Sequence, residues 1–150
     1  MKLLGKHLTI DMYGCRFENL NDLDFIKNAM TTAIAEANMT LLDFTSYQFE
    51  PHGLTAIALL AESHMSMHTY PELGYAAVDI FTCGDHSHPE RAVKVLKRFL
   101  KPDKTKTTHI KRGDFGSVRD MKPKVKVGIA PLRRVRNTGI RMLKFFAKRK

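Results

Sequence analysis

The sequence contains no tryptophan and only two cysteines, Cys15 and Cys83, among its 150 residues. Two thiols so far apart are too few for a disulfide framework or a four-thiolate zinc site. Long apolar runs are also absent: no stretch approaches the roughly 18 to 20 consecutive apolar residues that a transmembrane helix needs. The first residues lack the apolar core and the cleavage site of a secretory signal, so we expect a protein that stays in the cytoplasm.

The chain has a net charge of +10, but most of its length is close to neutral. Residues 1–116 hold 13 Lys and Arg against 14 Asp and Glu, whereas residues 117–150 hold 12 against one. The basicity therefore belongs to the C-terminal segment, and it says nothing about what the rest of the chain binds. We predict one domain over residues 1–116, with a core, followed by a loose basic extension over residues 117–150.

Apolar periodicity predicts two helices and six strands. One helix begins at Asn21, the expected N-cap, and the other begins at Ser87, which forms a capping box with Glu90. The predicted strands cover residues 8–13, 41–49, 54–60, 64–69, 75–83 and 105–111. This order predicts an α+β fold: a two-layer sandwich with a mostly antiparallel sheet, helices on one face and the other face open.

The segment over residues 60–72 is dense in Ser, His and carboxylate side chains for a stretch that otherwise reads as a buried hairpin. An unpaired hydroxyl or imidazole costs on the order of 1 to 3 kcal/mol to bury, so these groups form either a hydrogen-bond network or a site. From this pattern alone, a serine and a histidine such as Ser63 and His68 are more often hydrogen-bonded structural residues than members of a functional site. They are five positions apart, so strand alternation puts them on opposite faces unless the strand bends near His64.

The run AESHMSMHTYPE over residues 61–72, followed by GYAAVDIFTCG over residues 74–84, resembles the processing and catalytic signature of the bacterial S-adenosylmethionine decarboxylase proenzymes. The likeness spans about residues 4–116. The resemblance implies a self-processing enzyme of spermidine synthesis that converts S-adenosylmethionine to its decarboxylated form and CO2. It also implies that the chain breaks between Glu62 and Ser63, and that Ser63 becomes a pyruvoyl group, the covalent cofactor.

The same resemblance assigns roles to four further residues. It makes His68 the base or proton carrier of processing, and an imidazole suits this because it exchanges protons readily near neutral pH. Cys83 matches the donor that protonates the carbanion left by decarboxylation, since an ordinary thiol is mostly protonated at neutral pH. Glu72 matches an acidic group that holds the ribose hydroxyls of the substrate. Asp11 is the second substrate-binding candidate: many family members have Glu at this strand position, and the shorter side chain leaves the exact substrate open.

The family's assembly and the uncovered sheet face both imply a homodimer of processed protomers. Ser63, His68 and Cys83 are equally compatible with a pyruvoyl-dependent arginine or ornithine decarboxylase. A third alternative is a non-catalytic paralogue that binds anionic partners through its basic segment. That segment fits binding to nucleic-acid phosphates, anchoring on anionic lipid, or a solvated appendage. The spacing of apolar residues over 139–148 is that of a short amphipathic helix.

We predict no metal site, although His86 and His88 lie close to Cys83 in the sequence. Their spacing matches no standard zinc pattern, and His88 falls at the start of a helix. The sequence also leaves open whether putrescine activates the enzyme.

Overall fold

The structure is a computed structural model, and it describes residues 5–113. These residues form six strands, three α-helices and one 3₁₀ turn. In chain order the elements are β1 (Gly5–Tyr13), α1 (Phe17–Leu20), α2 (Leu23–Glu36), β2 (Leu41–Gln48), β3 (Leu54–Leu60), β4 (Ser63–Tyr70), the 3₁₀ turn Pro71–Leu73, β5 (Tyr75–Thr82), α3 (Pro89–Leu100) and β6 (Lys104–Arg112).

All six strands belong to one sheet in the order β2-β3-β4-β5-β1-β6, and every neighbouring pair is antiparallel. Strands β2 to β5 follow one another in sequence and in space, because each is joined to the next by a short turn. The first strand lies between β5 and β6. The predicted α+β fold with an antiparallel sheet is confirmed.

One face of the sheet is covered by helices, and the alternation of side chains along the strands explains why. In β4, Met65 and Met67 are fully buried, whereas Ser66 and His68, which alternate with them, are only half-buried. In β5 every second residue is buried in the same way. The buried set packs with apolar side chains of α2 and α3 in one core. The opposite face, here called the open face, carries the alternate residues of each strand.

The open face exposes apolar side chains. Ile57 and Leu59 of β3 are 42% and 52% exposed, and Tyr47 of β2 is 65% exposed. Tyr70 of β4 adds a further ring at 43% exposure. A sheet face of this kind is characteristic of an interaction or ligand-binding surface.

Both helix starts differ from the sequence prediction. The N-cap of α2 is Asp22, whose carboxylate accepts the Phe25 N–H at 2.9 Å, rather than Asn21. Asn21 instead accepts the Gly53 N–H at 3.0 Å and so joins the helix start to the β2–β3 loop. A side chain used in this tertiary contact is not available as a cap.

The predicted capping box at Ser87 is wrong, because α3 begins two residues later at Pro89, with His88 as its N-cap. The hydroxyl of Ser87 is turned back toward the end of β5. It donates to the Gly84 carbonyl at 2.8 Å and lies 3.0 Å from Thr82 Oγ1. Ser87 therefore stabilises the loop before the helix.

The predicted domain boundary after residue 116, the basic extension over residues 117–150 and the helix over residues 139–148 lie outside the described residues. Within the described part of the chain, no helix is long and apolar enough to cross a membrane. The cytoplasmic location stays a prediction.

Candidate active site

The bond between Glu62 and Ser63 lies where the β3–β4 hairpin turns back. Leu60 and Ser63 are paired, so Ala61 and Glu62 form a two-residue turn. Ser63 opens β4 with a φ of 151°, a value that residues with a side chain rarely adopt. Strain of this kind costs on the order of 1 to 3 kcal/mol. The backbone is therefore strained at the bond where the sequence predicts cleavage.

The carbonyl group of Glu62 is held by a backbone donor. Its oxygen accepts the N–H of Cys83 at 3.0 Å. A fixed N–H at this distance polarises the carbonyl and stabilises the negative charge that its oxygen acquires when a nucleophile adds to the carbon. The carboxylate of Glu62 accepts the Thr40 N–H at 3.0 Å, which fixes the same residue from a second side.

The hydroxyl of Ser63 has an imidazole next to it. Ser63 Oγ lies 3.2 Å from Nδ1 of His64. Successive side chains of a regular strand point to opposite faces, so this contact depends on the irregular φ at Ser63. Strand alternation alone gives His64 no role, because it does not place the side chains of neighbours together. The bend near His64 that would bring Ser63 and His68 together is not found, since β4 runs without a break from Ser63 to Tyr70.

His68 lies in a second group of polar residues, toward the other end of β4. Its Nδ1 is 2.9 Å from the hydroxyl of Thr55, its partner on β3. Both residues border a cavity of about 440 Å³ that also includes Glu72. The cavity is lined by Phe49, His52, Gly53, Leu54, Thr55, His68, Thr69, Tyr70 and Glu72.

Thr55 and Phe49 were missed by sequence analysis because they precede the motif and belong to ordinary-looking strand segments. The signal that would have found Thr55 is the hairpin register. A two-residue turn at Ala61 and Glu62 pairs Thr55 with His68 directly.

The structure thus places the predicted residues in two groups. Glu62, Ser63 and Cys83 lie together at the β3–β4 turn, whereas His68 and Glu72 border the cavity. Strand β4 is continuous between the groups, and five residues of extended chain separate the Cα atoms of Ser63 and His68 by about 16 Å. Within one chain, the imidazole of His68 does not reach Ser63.

Asp11 belongs to neither group. Its carboxylate accepts the hydroxyl of Tyr75 at 2.6 Å, and this hydrogen bond, with burial, raises the pKa of Tyr75 to about 12. The ring of Tyr75 stacks against Tyr13 at 5.3 Å and against Tyr70 at 5.5 Å between centroids. Asp11 therefore supports a row of three tyrosines that ends at the cavity.

The two cysteines differ in environment. Cys15 is buried, and burial followed by the nearby charge of Asp103 raises the pKa of its thiol to about 11, which makes it a poor nucleophile. Cys83 is exposed, directly beside the Glu62–Ser63 bond. Of the two thiols, that of Cys83 is the one exposed at the turn.

Comparison with known proteins identifies the family of the chain. The family model described as S-adenosylmethionine decarboxylase matches residues 6–113. The S-adenosylmethionine decarboxylase proenzyme of Methanococcus maripaludis is 44% identical over 122 residues, which are 80% of this chain and all of that protein. The proenzyme of Thermomicrobium roseum is 44% identical over 114 residues, 75% of this chain and 97% of that one.

A solved structure gives the same result at the level of the fold. The adenosylmethionine decarboxylase from Aquifex aeolicus, known from a crystal structure, is 36% identical in sequence to this chain. The two structures superpose with a TM-score of 0.69, and the match covers 81% of this chain and 98% of that one. The fold and the matches define the class of protein: the chain is an enzyme, a decarboxylase. It belongs to the S-adenosylmethionine decarboxylase family.

Proposed function

We propose that the chain is a proenzyme that cuts itself between Glu62 and Ser63 and then decarboxylates S-adenosylmethionine, through a pyruvoyl group formed from Ser63. Family membership supports the substrate. The observation that carries the self-cleavage is the strained backbone of Ser63, next to a Glu62 carbonyl that already accepts the Cys83 N–H. The product serves spermidine synthesis.

Processing begins with the attack of Ser63 Oγ on the Glu62 carbonyl carbon. The carbon–nitrogen bond breaks and an ester joins Glu62 to the Ser63 oxygen. Removal of the α-proton of Ser63 then expels the Glu62 carboxylate and leaves a dehydroalanine. This residue tautomerises, takes up water and releases ammonia, which leaves a pyruvoyl group at the start of residues 63–150 and a carboxylate at the end of residues 1–62.

The residues at the turn fit this cofactor, because Ser63 is both its precursor and the first residue of a strand that stays hydrogen-bonded to β3 and β5. The pyruvoyl carbonyl supplies an electron sink that allows the bound amino acid to lose CO2. The exposed Cys83 thiol then donates a proton to the carbon that lost the carboxylate. In this account Glu72 accepts hydrogen bonds from the ribose hydroxyls.

In this proposal His68 removes the α-proton of Ser63. It reaches that proton only from another copy of the chain. We therefore propose a homodimer in which the turn of one protomer faces the cavity of its partner. The two open faces pack together about a two-fold axis that runs between them and across the strands. Each end of β4 then faces the opposite end of β4 in the partner, so each dimer has two complete sites. The exposed Ile57, Leu59 and Tyr47 support this assembly, because they would be buried in it.

Release of labelled CO2 tests the activity. We expect the purified protein to release it from carboxyl-labelled S-adenosylmethionine, and not from labelled arginine or ornithine. A Ser63→Ala variant is the blank. Release from a basic amino acid alone would reassign the substrate while leaving the pyruvoyl chemistry intact.

Complementation tests the dimer. In the proposed arrangement, Cys83→Ala replaces a residue at the β3–β4 turn, and Glu72→Gln alters a residue that borders the cavity. A mixed dimer of the two variants retains one site with all its residues intact, so subunit exchange should restore activity that neither variant has alone. A mixture that gains no activity would contradict a site shared between protomers.

A further inference from the structure

We infer that His64 accepts the hydroxyl proton of Ser63 in the first step of self-cleavage, so that two different histidines serve the two steps of processing. The inference rests on the proposed self-cleavage and adds a catalytic residue to it. His68 keeps the removal of the α-proton, which belongs to the later elimination.

The geometry separates the two histidines clearly. His64 Nδ1 is 3.2 Å from Ser63 Oγ. Among the described residues, the Ser63 hydroxyl has no other hydrogen-bond partner. His68 is engaged with Thr55 at 2.9 Å, about 16 Å farther along β4 by the rise of an extended strand. A general base must lie within hydrogen-bond reach of the proton that it removes, and His64 meets this condition within the chain.

The packing of the imidazole fixes its position. His64 is half-buried and is paired with Leu59 on β3 and Phe81 on β5. Its ring lies 5.9 Å from that of Phe81. An apolar residue therefore faces His64 from each neighbouring strand, and no carboxylate stands directly opposite it.

Charged and titratable groups lie beyond these neighbours on both sides. Across Leu59 lies Asp43 of β2, the residue paired with it. Across Phe81, His7 is 3.3 Å from Asp79, and the guanidinium of Arg112 lies 5.1 Å from the Phe81 ring centroid. On the β5 side the exposed thiol of Cys83 follows Thr82. The carboxylate of Glu62 is engaged by the Thr40 N–H.

The proton balance of the step is complete within these residues. The neutral Nδ1 of His64 takes the proton from Ser63 Oγ as the oxygen bonds to the Glu62 carbonyl carbon. The Cys83 N–H holds the oxyanion. The carbon–nitrogen bond then breaks, and His64 returns its proton to the departing nitrogen of Ser63. The products are an ester and a free amine, with no net proton uptake and no co-reactant.

A time course of self-cleavage tests the inference. The full chain is made by cell-free synthesis, and the loss of the uncut form is followed with and without hydroxylamine, which cuts an ester at residue 63 but not an amide. For His64→Gln we expect cleavage to slow by roughly 10² to 10⁴-fold, the range for loss of a general base. No hydroxylamine-sensitive ester should accumulate, because the blocked step precedes ester formation.

His109→Gln is the matched control. It changes an exposed histidine on β6, remote from the turn, and should cleave at the wild-type rate. A second variant guards against misfolding: His64→Gly should recover cleavage when imidazole is added, which a purely structural role of His64 does not predict. Cleavage of His64→Gln at the wild-type rate, accumulation of ester in that variant, or no response of His64→Gly to imidazole would overturn the inference. If the wild-type chain itself stays uncut, the proposed function fails instead.

Discussion

The backbone N–H of Cys83 donates to the carbonyl oxygen of Glu62 at 3.0 Å, and this bond ties the end of β5 to the β3–β4 turn. It uses the main chain of Cys83 and leaves the thiol exposed. One residue therefore serves two steps in the proposed mechanism. Its N–H activates the bond that is cut, and its side chain later donates a proton to the product.

This division of labour predicts that the two roles of Cys83 are separable. In Cys83→Ala the N–H remains, so self-cleavage should proceed at close to the wild-type rate. Decarboxylation should fall by roughly 10² to 10⁴-fold, because the product carbon has lost its proton donor. Cleavage is read by gel and turnover by CO2 release. Unchanged turnover would remove Cys83 from the donor role, and Cys15→Ala tests whether the effect belongs to this thiol alone.

The strain at Ser63 predicts an unusual order of stability for two uncleavable variants. Glycine in a strand is ordinarily less stable than alanine, but it adopts a φ of 151° without steric cost. We expect Ser63→Gly to have a higher free energy of unfolding than Ser63→Ala, by about 1 kcal/mol. Urea unfolding measures the difference. Ser66→Gly against Ser66→Ala, within the same strand, is the control and should show the ordinary order.

The contact between Thr55 and His68 predicts a graded effect on processing. Thr55→Val keeps the shape of the side chain but removes the hydroxyl from His68 Nδ1, whereas Thr55→Ser keeps the hydroxyl. We expect Thr55→Val to slow elimination by roughly tenfold, as for loss of one hydrogen bond, and to accumulate the hydroxylamine-sensitive ester. Thr55→Ser should behave like the wild type. Equal rates for the two variants would show that the hydroxyl does not position His68.

The bond between Asp11 and Tyr75 predicts a measurable titration. Because Asp11 raises the pKa of Tyr75 to about 12, from an ordinary value of 10.0, the folded state holds the phenolic proton more tightly than the unfolded state does. The resulting stabilisation is complete below pH 10 and is lost as the pH rises toward 12. In Asp11→Asn the pKa of Tyr75 should move back toward its ordinary value.

Phenolate absorbance against pH measures this shift, and subtraction of the Tyr75→Phe curve isolates the one tyrosine. A Tyr75 titration that is the same in the wild type and in the Asp11→Asn variant would contradict the assigned cause.

Much of the fold could be predicted from the sequence, because alternation and turn residues mark each strand. The strand predicted over residues 54–60 coincides with β3, and the others differ at their ends by a few residues. The helix caps failed for a tertiary reason: Asn21 bonds to the β2–β3 loop and Ser87 bonds back to the end of β5. A local pattern does not show that a capping side chain is used elsewhere.

The site was only partly predictable. The motif identified Ser63, His68 and Cys83 as a set. The strand register shows that, within one chain, His68 lies far from the other two residues. The contact of Ser63 with His64 arises from one backbone angle, which no residue pattern specifies. Thr55 became visible only through its pairing with His68. These features depend on strand pairing and local conformation rather than on residue type.

Intact mass spectrometry of the purified protein is the direct test of self-cleavage between Glu62 and Ser63. We expect two chains, residues 1–62 and residues 63–150, with the second blocked at its start by a group of pyruvoyl mass. A Ser63→Ala variant should stay whole. A wild-type protein that remains a single chain of 17.1 kDa over days would contradict self-processing and the mechanism built on it.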